Sequence, residues 1–330
     1  MKLVKVPACR LRSTGRYLPA RIVRNEDLRQ FPAGSLSLIR QKTGIRARRH
    51  AAEEESTSDL AAAAARACLQ KAGVPAGELD AIVLATSTPD RLQPATATRV
   101  QYLLGASLAF AFDVNSVCAG SVYALALANS LLVSGQARLV LVVAAEVYSR
   151  FLNPADFSTY PYFGDGAGAA LLETCESKGR SWHVLLASDG GGADIIQIPA
   201  GGAFKPAPSV KDPREFYFRM NGAQVFEFAV NRGSETLLQL LAQAGTRADQ
   251  IRLVVSHQAN LNIIDELARR SGIPREVFFT NLENTGNTAA ASILIALDEA
   301  LEAGRARPGD KVAFVAFGGG LSWGGLLMDW

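Results

Sequence analysis

The sequence predicts an α/β fold in which strands alternate with helices, and three observations predict it. Short apolar runs rich in Val, Ile and Leu recur along the chain between turn-forming residues, as expected for central strands covered on both faces. Longer stretches rich in Ala and Leu follow these runs, which is the alternation typical of α/β layers. The same order of segments occurs in both halves of the chain, which indicates either an internal duplication or the general pattern of α/β proteins.

The first half contains three predicted strands and two predicted helices. The runs LDAIVLATS, FAFDVNS and ARLVLVVAAE have the length and composition of buried strands, and they predict strands over 79–87, 110–116 and 137–146. The segments between them are rich in Ala and Leu. They predict helices over 96–104 and 119–134.

The second half repeats this pattern. The runs IRLVVSHQ, VFFT and KVAFVAFGGG predict strands over 251–258, 277–280 and 311–320. Helices are predicted over 260–270 and 288–303, so each strand-to-helix junction of the first half has a counterpart here.

The chain is expected to divide into two halves, residues 1–175 and 176–330. The segment 189–213 contains DGGGAD and PAGGAFKPAPS, and its glycine and proline content predicts loops between the halves. No segment is repetitive enough to predict disorder.

Composition excludes several classes of protein. With 48% hydrophobic and 20% charged residues over 330 positions, the chain can bury a large core and is not a disordered segment. Its four Cys and three His show no spacing typical of a disulfide framework or a metal site, so no metal is expected. The N-terminus lacks a signal peptide, and no apolar run reaches the ~18 residues of a membrane span, which predicts a soluble cytoplasmic protein.

Positive charge is concentrated at the N-terminus. The formal net charge is +3, yet residues 1–50 carry 13 Lys and Arg against Glu26 and Asp27, so the rest of the chain is net negative. Such a cluster is either a solvated surface or a docking face for an acidic partner or a phosphate-bearing ligand. No nucleic-acid partner is expected.

Cys118 is the strongest candidate for a nucleophile. It follows a predicted strand and precedes a predicted helix, where free backbone N–H groups lower the pKa of a thiol and can bind an oxyanion. The alternative is that Cys118 is a small buried hydrophobe, the usual state of an unpaired cysteine. The other cysteines, Cys9, Cys68 and Cys175, lack this setting and are interpreted as structural.

Three further motifs follow strands or open helices. His257 lies directly after a strand, where α/β folds place ligands, although a histidine there can also be a packing residue. Asn287 lies in a glycine-containing turn before a helix, where Asn is often a cap. The run Gly318, Gly319 and Gly320 follows the last predicted strand; it allows close backbone approach to a ligand, or it is a plain turn.

Together these motifs resemble one enzyme family. SVCAG, FGDGAGAALL, HQAN, TGNTAAAS and AFGGGLSWG occur in the order and at the spacings of β-ketoacyl-ACP synthase III enzymes of the thiolase superfamily. The resemblance extends from RYLPARIVRNEDL and KTGIRARR to the last strand. It implies a duplicated five-layer α-β-α-β-α fold and a homodimer.

The resemblance also implies a role for each motif. Cys118 matches the nucleophile that accepts the acyl group, and His257 and Asn287 match the pair that assists decarboxylation. Gly318–Gly320 matches the loop that donates an oxyanion-hole amide beside that of Cys118. For His257 to donate a hydrogen bond to the thioester oxygen, its Nε2 atom must carry the proton.

The implied activity is an acyl transfer to Cys118, followed by decarboxylative Claisen condensation with a malonyl thioester. The substrate is an acyl thioester, carried either by coenzyme A or by the phosphopantetheine of an acyl carrier protein, and no bound cofactor is expected. The pathway is either fatty-acid initiation or polyketide and secondary metabolism.

Four positions depart from the best-known housekeeping members. Asn262, Phe157 and Lys42 each stand where those enzymes have Arg, and Leu38 stands where they have Trp. In those relatives the Trp and the Arg replaced by Phe157 hold the adenine of coenzyme A between them. Losing this stacking pair predicts that a primer on an acyl carrier protein, or an atypical coenzyme A ester, is the donor.

Two more expectations concern substrate contacts. Gln93 replaces an aromatic residue that closes the acyl pocket across the dimer in housekeeping members, which predicts a longer or polar-ended acyl group. Asn260, of the HQAN motif, is expected to contact the substrate or its carrier. Basic residues of the N-terminal cluster are expected to dock the acidic carrier protein; these are Lys42, Arg46, Arg48 and Arg49.

Two other functions remain open at this point. An acyltransferase on the same scaffold would pass the acyl group from Cys118 to a hydroxyl or amine acceptor; relatives of that type often carry an acid in place of Asn287. A non-catalytic partner subunit would typically lack the nucleophile, whereas this chain keeps all three motif residues.

Overall fold

The computed structural model describes residues 4–7, 9–175 and 181–330, in which strands and helices alternate. The strands are β1 (Val4–Pro7), β2 (Cys9–Tyr17), β3 (Arg21–Arg24), β4 (Ala47–His50), β5 (Ala81–Ala85), β6 (Phe110–Val114), β7 (Leu139–Glu146), β8 (Gly166–Thr174), β9 (Ser181–Ser188), β10 (Ile196–Gln197), β11 (Arg219–Met220), β12 (Ile251–Ser256), β13 (Lys311–Gly318) and β14 (Ser322–Asp329). The helices are α1 (Ala33–Thr43), α2 (Thr57–Ala72), α3 (Thr96–Leu104), α4 (Gly120–Val133), α5 (Gly222–Ala244), α6 (Leu261–Ser271), α7 (Leu282–Thr285) and α8 (Ala291–Glu302).

Two five-stranded sheets have nearly the same topology. The first has the order β2-β8-β7-β5-β6, and β5 runs parallel to both β6 and β7. The second has the order β1-β9-β14-β13-β12, with β12 parallel to β13. Strands β9, β14, β13 and β12 of the second sheet correspond to β2, β8, β7 and β5 of the first. Strand β1 is an addition at one edge, and β6 has no counterpart strand. In the place of β6, Phe278 makes a single parallel bridge with Val254.

The sheets and helices stack in five layers. Helices α4 and α8 lie in a central cluster with residues of both sheets, such as Val83 of β5 and Phe314 of β13. Helices α2 and α3 pack on the other face of the first sheet, where they meet Ile82. Helices α5 and α6 pack on the other face of the second sheet. The predicted duplicated α-β-α-β-α arrangement is therefore confirmed.

The central position of α4 and α8 explains their composition. A helix between two sheets has apolar neighbours on most sides, so it has no need of a wide polar face. Most residues of both helices are buried. This accounts for the Ala- and Leu-rich segments that follow Cys118 and Asn287.

The predicted helix over 96–104 coincides with α3, and the other predicted helices and central strands are found with ends shifted by a few residues. The predicted strand over 277–280 is wrong, because only one bridge forms there. Several elements were not predicted, among them the long helix α5. Among the described residues, no helix is both long and apolar enough to cross a membrane.

The predicted division at residue 175 remains a prediction. The first sheet lies within residues 9–174, but β1 pairs with β9 and so joins the sheet of the second half. Residues 176–180, at the predicted boundary, lie outside the described residues.

Candidate active site

A cavity of about 650 Å³ opens between the two halves of the chain. Its inner end is lined by Cys118, His257 and Asn287 together with Gly318. Apolar side chains form most of the remaining wall; these are Phe157, Tyr162, Phe163, Ile196, Phe218, Met220, Val225, Phe226, Phe228, Ala259, Ile263 and Phe317. The three predicted catalytic residues are thus brought together, although they are far apart in the sequence.

Cys118 lies in a single 3-10 turn between β6 and α4, and it is 7% exposed. The residue before it, Val117, has a φ of 45°, an uncommon conformation for a β-branched side chain that points to local strain. Gly318 of β13 lies directly against it, since a Cβ atom at Gly318 would be 2.7 Å from the Cys118 backbone nitrogen. Only glycine fits there. The end of β13 is therefore in contact with the turn that follows β6.

The pKa of the Cys118 thiol is raised, which corrects the expectation that the helix start lowers it. Burial is the main cause, and the negative charge of nearby Glu146 adds to it. The backbone amide of Cys118 lowers the pKa, but its effect is smaller. The resting residue is therefore a neutral thiol, and its negative charge develops only during reaction.

Glu146, at the end of β7, is a buried acid that sequence reasoning missed. Its carboxylate accepts hydrogen bonds from Ser87 Oγ at 2.9 Å and Thr88 Oγ1 at 2.6 Å, and also from the backbone amide of Ala290. Burial raises its pKa to about 7 despite these donors. Glu146 thus connects the end of β5 to the start of α8, close to Cys118.

Ser292 holds the imidazole of His257. The Nδ1 atom of His257 is 2.8 Å from Ser292 Oγ, and the same Oγ accepts the backbone N–H of Gln258 at 3.3 Å. In the tautomer that carries its proton on Nε2, Nδ1 accepts the Ser292 hydroxyl proton and Nε2 can donate a hydrogen bond.

Burial also lowers the pKa of His257 to about 3. The imidazole is 2% exposed, and Phe317 packs edge-on against it with the ring centroids 5.5 Å apart. At neutral pH His257 is therefore uncharged. It can donate a hydrogen bond through Nε2 without first losing or gaining a proton.

Asn287 is held by the other half of the chain. Its backbone N–H donates to Tyr162 O at 2.8 Å, and its carbonyl accepts from Gly164 N at 3.0 Å. The side-chain Oδ1 accepts the N–H of Ala289 at 2.9 Å, which leaves the Nδ2 amino group as the end that can donate into the cavity. Ala289 has a φ of 45°, so this turn is strained as the one at Val117 is.

The predicted substrate-binding residues separate into two groups. Lys42, Phe157 and Asn260 line the cavity. Arg46, Gln93 and Asn262 do not; all three are exposed. Asn262 Nδ2 donates instead to the backbone oxygen of Lys42 at 2.8 Å and joins α6 to the end of α1.

Two of the four basic residues expected on a docking face are not free for that role. Arg48 is fully buried, and its guanidinium donates to Val23 O at 3.1 Å, to Asn25 Oδ1 at 2.7 Å and to Pro161 O. Arg49 is half-buried and donates to Pro19 O. The expectation for Arg48 is wrong because its guanidinium is buried and bonds two backbone carbonyls, Val23 O and Pro161 O, the second of them beside the loop of Asn287.

Two family models match the chain. The model described as 3-oxoacyl-[acyl-carrier-protein (ACP)] synthase III matches residues 112–193, and the model of the C-terminal part of the same enzyme matches residues 241–330. The two ranges together cover more than half of the chain.

Named relatives match almost end to end. The chain is 46% identical over 324 residues to beta-ketoacyl-[acyl-carrier-protein] synthase III 3 of Streptomyces coelicolor, covering 97% of this chain and 96% of the relative. It is 43% identical over 314 residues to the beta-ketoacyl-[acyl-carrier-protein] synthase III of Clostridium perfringens, covering 95% of this chain and 97% of the relative.

Solved structures show the same fold. The 3-oxoacyl-[acyl-carrier-protein] synthase III of Aquifex aeolicus superposes with a TM-score of 0.90 at 37% identity, covering 98% of this chain and all of that one. The priming beta-ketosynthase of the R1128 polyketide pathway superposes with a TM-score of 0.89 at 33% identity, covering 99% of this chain and 98% of that one.

Proposed function

This chain belongs to the 3-oxoacyl-[acyl-carrier-protein] synthase III family, and from that premise we propose how its residues divide the reaction. It is a condensing enzyme of the acyltransferase class. In our proposal Cys118 accepts the acyl group, while His257 and Asn287 assist the decarboxylation of a malonyl thioester. The observation that carries this assignment is that all three line the inner end of one cavity.

The first step is a thioester exchange at Cys118. Its sulfur attacks the donor carbonyl, the donor C–S bond breaks, and the thiol proton leaves with the departing donor thiol. The oxyanion formed in between accepts hydrogen bonds from the backbone amide of Cys118 and from the glycine run beside it. An oxyanion-hole donor contributes about 3–4 kcal/mol to such a step.

The second step is the condensation. The malonyl thioester loses CO₂, and the electron pair of the broken C–C bond moves into an enolate. His257 Nε2 and Asn287 Nδ2 donate hydrogen bonds to the enolate oxygen as its charge develops. The enolate carbon then attacks the acyl carbonyl, and the sulfur of Cys118 leaves and takes up a proton.

Intact-protein mass spectrometry tests this assignment. Incubation with acyl thioesters should add one acyl group to the wild type, and subsequent malonyl-ACP should remove it and yield a β-ketoacyl product. Cys118→Ser should show no increment, whereas Cys68→Ser serves as a control because Cys68 is buried away from the cavity. Release of the acyl group to an alcohol or amine, with no need for malonate, would indicate the acyltransferase instead.

A carrier-bound primer is the proposed donor. Lys42 is exposed at the cavity mouth, and Arg46 is exposed on the same segment of the chain, so both can face an acidic carrier protein. Phe157 packs edge-on against Phe31 at a centroid distance of 5.1 Å, so a ring stands where relatives have a guanidinium. We therefore propose that acyl-ACP is preferred over acyl-CoA.

The carrier preference can be measured with one acyl group on both carriers. We expect a higher kcat/KM for acyl-ACP, and we expect salt and Lys42→Ala to reduce it, because screening weakens charge steering. Arg252→Ala, which removes an exposed charge outside the cavity, is the control. A preference for acyl-CoA that salt does not change would contradict the proposal.

A homodimer is also proposed, and the edge of the first sheet supports it. Strand β6 ends that sheet, and large apolar side chains beside it are exposed: Leu108 by 81%, Tyr102 by 72% and Phe110 by 44%. An open strand edge flanked by apolar surface is suited to pairing with a second copy. Sedimentation should give the mass of two chains, and Phe110→Asp should shift it toward one.

A cytoplasmic location is the last part of the proposal. Cys118 has to remain a thiol to accept an acyl group, and the reducing cytoplasm keeps thiols in that state. Cell fractionation with detection of the native protein tests the location.

A further inference from the structure

Arg48 is a buried charge whose contacts lead to the turn that carries Asn287. Its side chain is fully buried, and burial lowers its pKa to about 10, so the guanidinium is charged at neutral pH. It donates to three uncharged acceptors, which are Val23 O, Asn25 Oδ1 and Pro161 O. Burying a charge among uncharged acceptors opposes folding. Packing alone therefore does not explain an arginine at this position.

The guanidinium joins strand β3 to the segment that holds Asn287. Nη1 donates to Val23 O, in β3, at 3.1 Å, and Nη2 donates to Pro161 O. The next residue, Tyr162, accepts the backbone N–H of Asn287 at 2.8 Å. Gly164 N donates to the carbonyl of Asn287 at 3.0 Å. Because the N–H groups of a guanidinium have fixed directions, these bonds fix the segment from Pro161 onward relative to β3.

The start of the Arg48 side chain packs behind the same turn. A Cβ atom on Gly286, the residue before Asn287, would lie 2.9 Å from Arg48 Cβ, and one on Gly164 would lie 3.1 Å from it. Gly286 also has a φ of 66°, which favours glycine. Arg48 therefore supports the Asn287 turn in two ways, by direct contact and through the segment that is bonded to Asn287.

From these contacts we propose that Arg48 is a positioning residue that fixes the side-chain amide of Asn287 for the condensation step. Oδ1 of Asn287 bonds the backbone N–H of Ala289 within the same turn, so the direction of Nδ2 follows the position of the turn. A displaced turn would aim Nδ2 away from the enolate oxygen, and a small misplacement of a donor slows a reaction greatly. The proposal rests on the proposed role of Asn287.

The acylation step should depend on Arg48 much less. Cys118 lies in the turn before α4 and directly against Gly318, and neither of these contacts involves the segment bonded to Arg48. The two steps of the reaction therefore report on Arg48 differently, which a general loss of stability would not produce.

The test measures both steps in Arg48→Met and Arg48→Lys, with folding checked by circular dichroism. Arg48→Met removes every donor, and condensation should fall by about 10- to 100-fold while acylation, followed by intact mass, changes much less. The loss should be in kcat, with the KM for malonyl-ACP near its wild-type value, because the bond to the enolate forms only during reaction. Arg48→Lys keeps a charge and a donor, so it should recover part of the rate.

Arg150→Met is the matched control. Arg150 also donates to backbone carbonyls, but these belong to a segment that does not hold Asn287: Ala52, Glu53 and Glu55. Its substitution should leave the ratio of condensation to acylation unchanged.

A double variant tests whether Arg48 acts through Asn287. Arg48→Lys should slow condensation in the wild type but add little in the Asn287→Ala background, where no amide is left to position. Equal fold-losses in both backgrounds would overturn the proposal. So would equal losses of acylation and condensation, or wild-type condensation by a folded Arg48→Met protein. Wild-type condensation by Asn287→Ala itself would instead contradict the proposed function.

Discussion

The two halves of the molecule have the same topology but hold their reactive groups differently. In the first half a full strand, β6, leads into Cys118 at the start of α4. In the second half only a bridge at Phe278 occupies the place of β6, and the turn with Asn287 leads into α8. Tyr162 and Gly164 of the first half hold that turn through backbone hydrogen bonds with Asn287.

Burial shifts the pKa values of Cys118 and His257 in opposite directions, and each shift favours the neutral form of the group. It raises the pKa of the thiol at Cys118 and lowers the pKa of the imidazole at His257, so both groups are neutral at rest. In the proposed reaction one half supplies a covalent bond and the other supplies hydrogen bonds. Charge then develops on atoms that face fixed donors, which is where such donors contribute most.

Gly318 of the second half lies against Cys118 of the first, and its substitution should affect both steps of the reaction. A methyl group on Gly318 would lie 2.7 Å from the backbone nitrogen of Cys118, so Gly318→Ala must displace the nucleophile or the glycine run. We expect both acylation and condensation to fall by at least about 100-fold, the effect of losing an oxyanion-hole donor. Gly319→Ala, where the nearest atoms are 3.3 Å from an added Cβ, is the comparison. Wild-type acylation by Gly318→Ala would show that the contact is dispensable.

Substitutions confined to the second half should separate the two steps. His257→Ala and Asn287→Ala should each slow condensation by about 100- to 1000-fold, because each removes a donor to the enolate oxygen. Acylation of Cys118 should change much less. Equal losses in both steps would mean that the halves do not divide the reaction.

A smaller effect is expected from substituting Ser292, which contacts His257 and not the substrate. Ser292→Ala removes the hydroxyl that holds Nδ1 of His257, so the ring can rotate or take the other tautomer. Condensation should fall by about tenfold, and acylation should not change. Ser292→Thr keeps the hydroxyl and should recover part of the rate. If Ser292→Ala condenses at the wild-type rate, another group fixes the tautomer.

The smallest effect concerns stability and pH. The pKa of His257 is about 3 in the folded chain and about 6.5 in the unfolded chain, so the unfolded state binds the extra proton as pH falls through 6.5. This proton uptake destabilises the folded wild type under acid. When the pH falls from 7 to 5, the wild type should therefore lose about 1–2 kcal/mol of unfolding free energy relative to His257→Gln. Urea unfolding at both pH values measures it, and a difference that does not depend on pH would contradict a buried neutral imidazole.

The same comparison shows what the sequence could and could not predict. The helix over 96–104 was predicted correctly from its composition and its place between two apolar runs, and it ends at Gly105, which has a positive φ of 70°. The strand over 277–280 was not, because a short apolar run does not reveal whether its neighbour leaves room for a full ladder.

The three candidate catalytic residues that line the cavity were predicted from motif order, whereas the groups around them were not. Ser292 and Glu146 act through hydrogen bonds to residues far away in the chain, which spacing does not show. Arg48 was placed on the surface because charge usually indicates exposure, yet backbone carbonyls satisfy it inside.

One chase experiment tests most directly whether the two halves act in different steps of the reaction. Cys118 is first acylated in the wild type and in His257→Ala, excess donor is removed, and malonyl-ACP is added while intact mass is followed. The account predicts that the wild type loses its acyl group rapidly and that the acyl-enzyme of His257→Ala persists at least about 100 times longer. Equal rates of acyl loss with β-ketoacyl product in both would contradict it.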